Sequence, residues 1–165
     1  SRNTTFLGSL ARAAAKGLPV YAECGGLMLL ARAIRWKSDR QLMAGVLPIE
    51  VEVCEKPQGH GYAVLRVDQP NPFFAAGTEL KGHEFHYSRI VPAETLPPTA
   101  CRVERGAGCY SGRDGISLEN VWASYTHLHA LATPEWAAGL LAAARRFAVG
   151  DEECKDCACS VALEC

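Results

Sequence analysis

The stretch that decides the fold is Gly17-Leu-Pro-Val-Tyr-Ala-Glu-Cys-Gly-Gly-Leu-Met-Leu-Leu30. Its first part, residues 18–22, is a short apolar run with β-forming side chains, and residues 27–34 have helical character. Cys24 and two glycines stand between them, so the stretch predicts a strand, a sharp turn and a helix. An apolar strand flanked by helices is typical of a parallel sheet that is covered on both faces.

The flanking sequence agrees with this α/β class. Residues 5–16 have apolar positions at helical spacing, and Thr133 with Pro134 predicts the start of a last helix that ends near Gly150. The middle is β-rich, and we expect a hairpin or meander of residues 44–53 and 61–67. Further strands are predicted at residues 84–90, 101–104 and 121–126, with a turn at 113–115 before the last one.

Two units are expected, a domain at residues 1–149 and an acidic, Cys-rich tail at residues 150–165. The chain starts with a helix and a single central strand, and a parallel sheet would need further strands beside that one. We therefore expect the N-terminal part of the fold to be missing.

Composition narrows the class of partner. The 165 residues are 48% hydrophobic and 21% charged, as in ordinary globular domains. A net charge of -1 offers no basic surface for a phosphate backbone, so we expect no nucleic-acid partner. The longest apolar stretches fall well short of the roughly 20 residues of a membrane-spanning helix, and residues 1–5 lack the pattern of a secretory signal. We therefore expect no membrane association and a cytoplasmic location.

Cys24 is the candidate nucleophile. It is flanked by Ala22 and Gly26, which are small enough for the turn of a nucleophile elbow to close. At a helix N-terminus the backbone N–H groups and the helix dipole lower the pKa of a thiol and bind an oxyanion. The alternative is a cysteine buried in the core before a Gly-rich turn.

His127 is the candidate base, because it follows a predicted strand at the sheet edge where the active sites of parallel sheets lie. His129 stands two residues on, and both imidazoles would face the same side of an extended chain. The pair could instead bind a metal ion, or one imidazole could be a core residue with its own partner.

A third polar group is formed by residues 82–88, in which Glu84 and His86 would share one face of a strand. The alternative for them is a solvated edge strand. Four cysteines near the C-terminus could hold zinc or an iron-sulfur cluster, although their spacing differs from paired CxxC motifs, or could form a mobile reduced tail: Cys154, Cys157, Cys159 and Cys165. We assign no metal to the chain.

Three runs appear in the same order in one known family: residues 22–28 (AECGGLM), 82–88 (GHEFHYS) and 123–129 (ASYTHLH). They resemble the C-terminal glutaminase domain of the cobyrinic acid a,c-diamide synthases, which are class I (triad-type) glutamine amidotransferases. The resemblance extends over residues 1–149. It implies a flavodoxin-like fold, with a mostly parallel central sheet and flanking helices.

The resemblance also implies an activity. Cys24 would attack the side-chain amide of glutamine with His127 as base, and Gly25, Glu84, His86 and His129 would support substrate binding. The ammonia would reach an ATP-dependent synthetase domain, where ATP and Mg²⁺ serve the amidation of the a and c carboxylates of cobyrinic acid in cobalamin biosynthesis. The glutaminase domain itself would need no cofactor. His129 stands where the triad acid is usual, which favours a Cys-His dyad.

Three alternatives remain open. The same domain could serve cobyric acid synthase or nickel-sirohydrochlorin a,c-diamide synthase, because the three runs do not identify the tetrapyrrole. It could also be a non-catalytic regulatory domain that keeps the fold and binds a metal ion through the C-terminal cysteines.

Overall fold

The computed structural model describes the backbone of residues 3–160 and the side chains of residues 3–150. Helices and strands alternate in the N-terminal part of the chain, strands dominate its middle, and one long helix follows the last strand. The elements are α1 (Thr4–Ala15), β1 (Val20–Glu23), α2 (Gly25–Leu30), β2 (Ala33–Trp36), β3 (Asp39–Leu42), β4 (Glu50–Val53), β5 (Gly59–Val67), β6 (Glu79–His86), β7 (Ser88–Ile90), β8 (Thr99–Arg105), β9 (Arg113–Leu118), β10 (Val121–Ser124), β11 (His127–Leu128) and α3 (Glu135–Ser160).

The strands form two sheets. The larger has the order β1-β10-β9-β8-β5-β6-β11, and the smaller has the order β3-β2-β4-β7. β1 pairs in parallel with β10, with Val20 opposite Val121 and Glu23 opposite Ser124. This register brings the carboxyl ends of β1 and β10 to the same edge, where Cys24 follows one strand and His127 lies just beyond the other.

Helices cover both faces of the larger sheet, as the sequence predicts. Val121 and Ala123 of β10 pack in a cluster with Ala14 of α1 and Leu27 of α2. Trp122, between them in the strand, points to the opposite cluster with Ala143 of α3. Alternate residues of one strand thus contribute to two cores, which explains why β10 is apolar on both sides.

The pairing is less parallel than expected. Among the strands that the structure describes, only β1 with β10 and β2 with β4 pair in parallel. β9 and β10 are separated by Glu119 and Asn120 alone, and so short a connection can join only antiparallel neighbours. The sheet is therefore mixed. The hairpin or meander expected for residues 44–53 and 61–67 is wrong, because β4 pairs with β2 and β7 while β5 pairs with β6 and β8.

The second helix is shorter than predicted. α2 ends at Leu30 because Ala31 is extended and the carbonyls of Leu29 and Leu30 accept from the N–H groups of Ala44 and Leu47. Ile34 therefore lies in β2 instead of in a helix.

The C-terminal helix also differs from its prediction. Thr133 Oγ1 contacts the backbone N–H and carbonyl of Lys81, so this side chain joins the helix start to β6. The backbone of α3 continues to Ser160, ten residues beyond the predicted end at Gly150. Within residues 3–160, no helix is both long and apolar enough to cross a membrane.

Residues 113–115 lie in β9, so the turn predicted there is wrong. The glycine that suggested a turn is needed for packing, because Gly115 has a φ of +66° and an added Cβ would lie 2.5 Å from Cη2 of Trp122. Trp122 is fully buried and cannot move aside. Gly115 therefore marks a special backbone conformation inside a strand and not a turn.

Gly115→Ala is expected to lower the free energy of unfolding by about 3 kcal/mol or more, because backbone strain of about 1–2 kcal/mol adds to a core clash. Gly112→Ala is the matched control, since Gly112 has a φ of +68° and open space around it. The Gly112→Ala variant should lose only the part of the free energy of unfolding that comes from backbone strain. Urea denaturation of both variants measures the difference in the free energy of unfolding. Equal losses would show that the clash with Trp122 adds nothing to the cost of Gly115→Ala.

Candidate active site

Cys24 occupies the sharp strand-to-helix turn predicted for it. It is the residue between β1 and α2, and its φ of 46° and ψ of -99° are strained for a side chain other than glycine. The turn is held from both sides, because its N–H donates to the Ser124 carbonyl at 2.7 Å and its carbonyl accepts from the Met28 N–H. A Cβ on Gly26 would lie 3.1 Å from that of Ala22, so both neighbours must be small.

The Cys24 thiol is half-buried, and its ionisation differs from the expectation. Burial raises the pKa of Cys24 above its ordinary value, the Gly25 N–H acts in the opposite direction, and the charge of Glu23 raises it further. The predicted lowering of the thiol pKa is therefore wrong. α2 is only six residues long, which limits its dipole. The thiol needs a base to react.

Gly25 lies at the open side of the turn. An added Cβ there would meet no atom within 4 Å, and the residue is exposed. Its N–H already acts on the Cys24 sulfur. This backbone group is thus placed where an oxyanion formed at Cys24 could be bound.

His127 begins β11, three residues after the end of β10. Its Nδ1 lies 3.5 Å from Oε2 of Glu23, and its ring stacks on that of His83 with 5.1 Å between the centroids. Glu23 is the residue before Cys24. The carboxylate therefore joins the two candidate catalytic residues at one end of the β1–β10 pair.

His129 does not share this environment. The residue is exposed, while His127 is half-buried. The backbone N–H of His129 donates to the Lys81 carbonyl, and its own carbonyl accepts from the N–H groups of Ala132 and Thr133 at the approach to α3. β11 ends at Leu128, so the extended geometry that would place both imidazoles on one side is not continued.

Glu84 lies inside the protein, 2% exposed. It accepts hydrogen bonds from the backbone N–H groups of Ala107 and Gly108, both at 2.8 Å, and from the Thr126 hydroxyl. These contacts fix the residue that precedes His127. The structure places Glu84 behind the candidate site, where it supports the backbone.

His86 is also buried. Its Nδ1 lies 2.8 Å from the Ser88 carbonyl, and its ring stacks on Tyr125 with 3.9 Å between the centroids. Nε2 is enclosed near Gly59, where an added Cβ would come within 2.3 Å of it. His86 therefore packs under the segment that leads from β10 to His127, and it is not at the surface of the candidate site.

Asp114 is a supporting residue that the sequence did not reveal. Its carboxylate is fully buried and accepts from the N–H groups of Tyr125 and Thr126, from the Thr126 hydroxyl and from the Cys109 thiol. It thereby holds the end of β10. Its place in an Arg-Asp-Gly run predicted a turn, and only the buried hydrogen-bond partners show its role.

The cysteines with described side chains are all free: Cys24, Cys54, Cys101 and Cys109. Within that part of the chain, no group of three or more potential ligands could hold a metal ion. Cys154, Cys157 and Cys159 have only their backbone described, in α3, and Cys165 lies beyond the described residues. The possible metal site at these four residues therefore lies outside the described side chains.

Comparison with known proteins connects this geometry to a family. Residues 1–135 match the CobB/CobQ-like glutamine amidotransferase domain. Cobyrinate a,c-diamide synthase of Magnetococcus marinus is 42% identical over 121 residues, which are 73% of this chain and 26% of that protein. The enzyme of the same name from Methanothermobacter thermautotrophicus is 39% identical over 145 residues, or 88% of this chain and 31% of that protein. The chain thus spans between a quarter and a third of these relatives.

The fold also has a counterpart among solved structures. The structure of PurLQS from Thermotoga maritima superposes with a TM-score of 0.58 and 16% sequence identity, and the match covers 86% of this chain and 67% of that chain. At this identity the likeness is one of fold, and it confirms the α/β class with a mixed sheet. The family match over residues 1–135 shows that the chain belongs to the CobB/CobQ-like glutamine amidotransferase domain family.

Proposed function

We propose that the chain hydrolyses glutamine to glutamate and ammonia with Cys24 as nucleophile and His127 as base. The observation that carries the proposal is the strained turn at Cys24, next to a carboxylate that contacts His127. A positive φ at a cysteine costs about 1–3 kcal/mol, and strain of this kind clusters at functional sites, where the surrounding structure holds the residue in place. Family membership supports an amide as the substrate.

The reaction has two steps. Nδ1 of His127 faces Glu23, which leaves Nε2 to take the thiol proton. The sulfur of Cys24 attacks the side-chain carbonyl of glutamine, a C–S bond forms, and the Gly25 N–H donates to the oxyanion. The C–N bond then breaks as His127 returns the proton to the leaving nitrogen, which departs as ammonia. Water, deprotonated by His127, hydrolyses the thioester, so glutamate leaves and the thiol is restored.

The ammonia would serve amidation of cobyrinic acid at its a and c carboxylates in cobalamin biosynthesis. The names of the relatives support this assignment over cobyric acid or nickel-sirohydrochlorin amidation. ATP and Mg²⁺ would be bound by a synthetase part of the same enzyme, and glutamine hydrolysis at Cys24 would not need them. A cytoplasmic location is part of the proposal, since ATP and a tetrapyrrole precursor are available there.

The test is product formation by the purified chain. With glutamine as substrate, glutamate and ammonia should appear in equal amounts and exceed the enzyme concentration many times over. Asparagine, one methylene shorter, should react far more slowly, because its carbonyl would not reach the sulfur and the oxyanion donor together. Binding of glutamine without release of glutamate would contradict the proposal and favour a non-catalytic domain.

A further inference from the structure

Glu23 lies between the nucleophile and the base. It is the last residue of β1, it directly precedes Cys24, and its side chain is 23% exposed. Oε2 faces Nδ1 of His127 at 3.5 Å. A partly buried carboxylate needs fixed polar partners. The two oxygens of Glu23 contact different groups.

The other oxygen of Glu23 fixes the carboxylate. Oε1 accepts from the Tyr21 hydroxyl at 2.8 Å and from the Leu128 N–H at 3.1 Å. Burial raises the pKa of Tyr21, and the charge of Glu23 raises it further, so the phenol stays protonated as a donor. The Leu128 N–H belongs to the residue after His127, so the same oxygen also fixes the backbone that carries the imidazole.

We propose that Glu23 is the positioning residue of His127. It would take the role that an acid two residues after the histidine has in a triad. A carboxylate at Nδ1 keeps the proton on that nitrogen and turns Nε2 toward the thiol. This proposal rests on the glutaminase function proposed above.

The charge of Glu23 has a second, opposite effect. It raises the pKa of Cys24 and so disfavours the thiolate. If Glu23 acted only as a charge beside the sulfur, its removal would make the thiol more reactive. If replacement of Glu23 lowers turnover, the loss must therefore act through another group. His127 is the candidate catalytic residue that the Glu23 carboxylate contacts.

The experiment is a double-variant cycle on the full chain, with Glu23→Gln, His127→Ala and the two combined. Steady-state glutamate release gives kcat and KM for glutamine. The initial burst of nitrophenol from the γ-nitrophenyl ester of glutamate gives the acylation rate even in weak variants. Glu23→Asp tests whether a shorter carboxylate restores part of the activity. Glu119→Gln is the matched control, since Glu119 is exposed at the β9–β10 turn, at the other end of β10 from His127.

Glu23→Gln should lower kcat for glutamine by about 10- to 1,000-fold with KM changed less than about threefold, and Glu23→Asp should fall between it and the unaltered chain. On the ester, Glu23→Gln should slow the burst when His127 is present and change it less than about twofold in His127→Ala. Glu119→Gln should match the unaltered chain.

Two results would overturn the positioning role while leaving the glutaminase in place. One is a kcat of Glu23→Gln equal to that of Glu119→Gln. The other is an equal loss from Glu23→Gln with and without His127, which would mean a general structural effect. No glutamate release by the unaltered chain would instead remove the proposed function, and this inference with it.

Discussion

Cys24→Ser is expected to lower glutamate release from glutamine by at least about 1,000-fold, because the hydroxyl is a far weaker nucleophile than the thiolate. Serine is nearly isosteric with cysteine and can adopt the same strained backbone, so the turn between β1 and α2 should persist. Release of glutamate, followed with a coupled dehydrogenase, measures the loss. Far-UV circular dichroism and the melting temperature report the fold.

Cys54→Ser is the matched control. Cys54 is also a free, half-buried thiol, and it follows β4 in the smaller sheet. Its replacement should leave glutamate release unchanged. Substantial activity of Cys24→Ser, or an equal loss in both variants, would mean that the sulfur of Cys24 does not attack the amide.

His127→Ala is the second change with a large expected effect. Without the imidazole, the proposed base no longer takes the proton from a thiol whose pKa is raised by burial, and no longer returns it to the leaving nitrogen. We expect kcat for glutamine to fall by about 100- to 10,000-fold, the range of a lost general acid-base group. The rate of alkylation of Cys24 by iodoacetamide against pH should show the thiol pKa raised further.

His129→Ala tests the assignment of the base. His129 is exposed, and its observed contacts are made by its backbone, which alanine keeps. We expect a loss of less than about threefold, within the usual range of surface changes. If His129→Ala were the more damaging variant and His127→Ala left the alkylation profile unmoved, the two histidines would have to exchange roles.

The elements that the sequence predicts well are those with local causes. The elbow at Cys24 follows from small residues at Ala22 and Gly26, and the structure shows them in near contact. α1 was predicted within one residue at each end, because its apolar spacing is a property of a single helix. The position of His127 just beyond β10 likewise follows from one apolar strand.

Strand pairing could not be predicted in the same way. Whether β4 pairs with β2 or with β5 depends on contacts between distant segments, which the pattern within one strand does not contain. The end of α2 is set by hydrogen bonds from Ala44 and Leu47, which a pattern within the helix does not contain. The turn signal at Gly115 failed because a positive φ serves a turn and a close approach to Trp122 equally well.

The assignment of Cys24 and His127 as reacting residues stays a prediction, and of the carboxylates around them the sequence suggested Glu84 but neither Glu23 nor Asp114. Cys24 and His127 carry local signals, a Gly-rich turn and a strand end. Glu23 adjoins Cys24 in the sequence, but its contact with His127 depends on the parallel pairing of β1 with β10. Glu84 was chosen for its polar neighbours, and the structure shows that it binds backbone N–H groups inside the protein.

Covalent labelling by diazo-oxo-norleucine is the measurement that tests the central claim most directly. This glutamine analogue alkylates the sulfur that attacks the side-chain carbonyl, so peptide mass mapping should find one adduct per chain, on Cys24, with glutamine protecting against it. Cys54 should remain unmodified. An adduct spread over several cysteines, or none at Cys24 while the chain is folded, would contradict the assignment of Cys24 as the nucleophile.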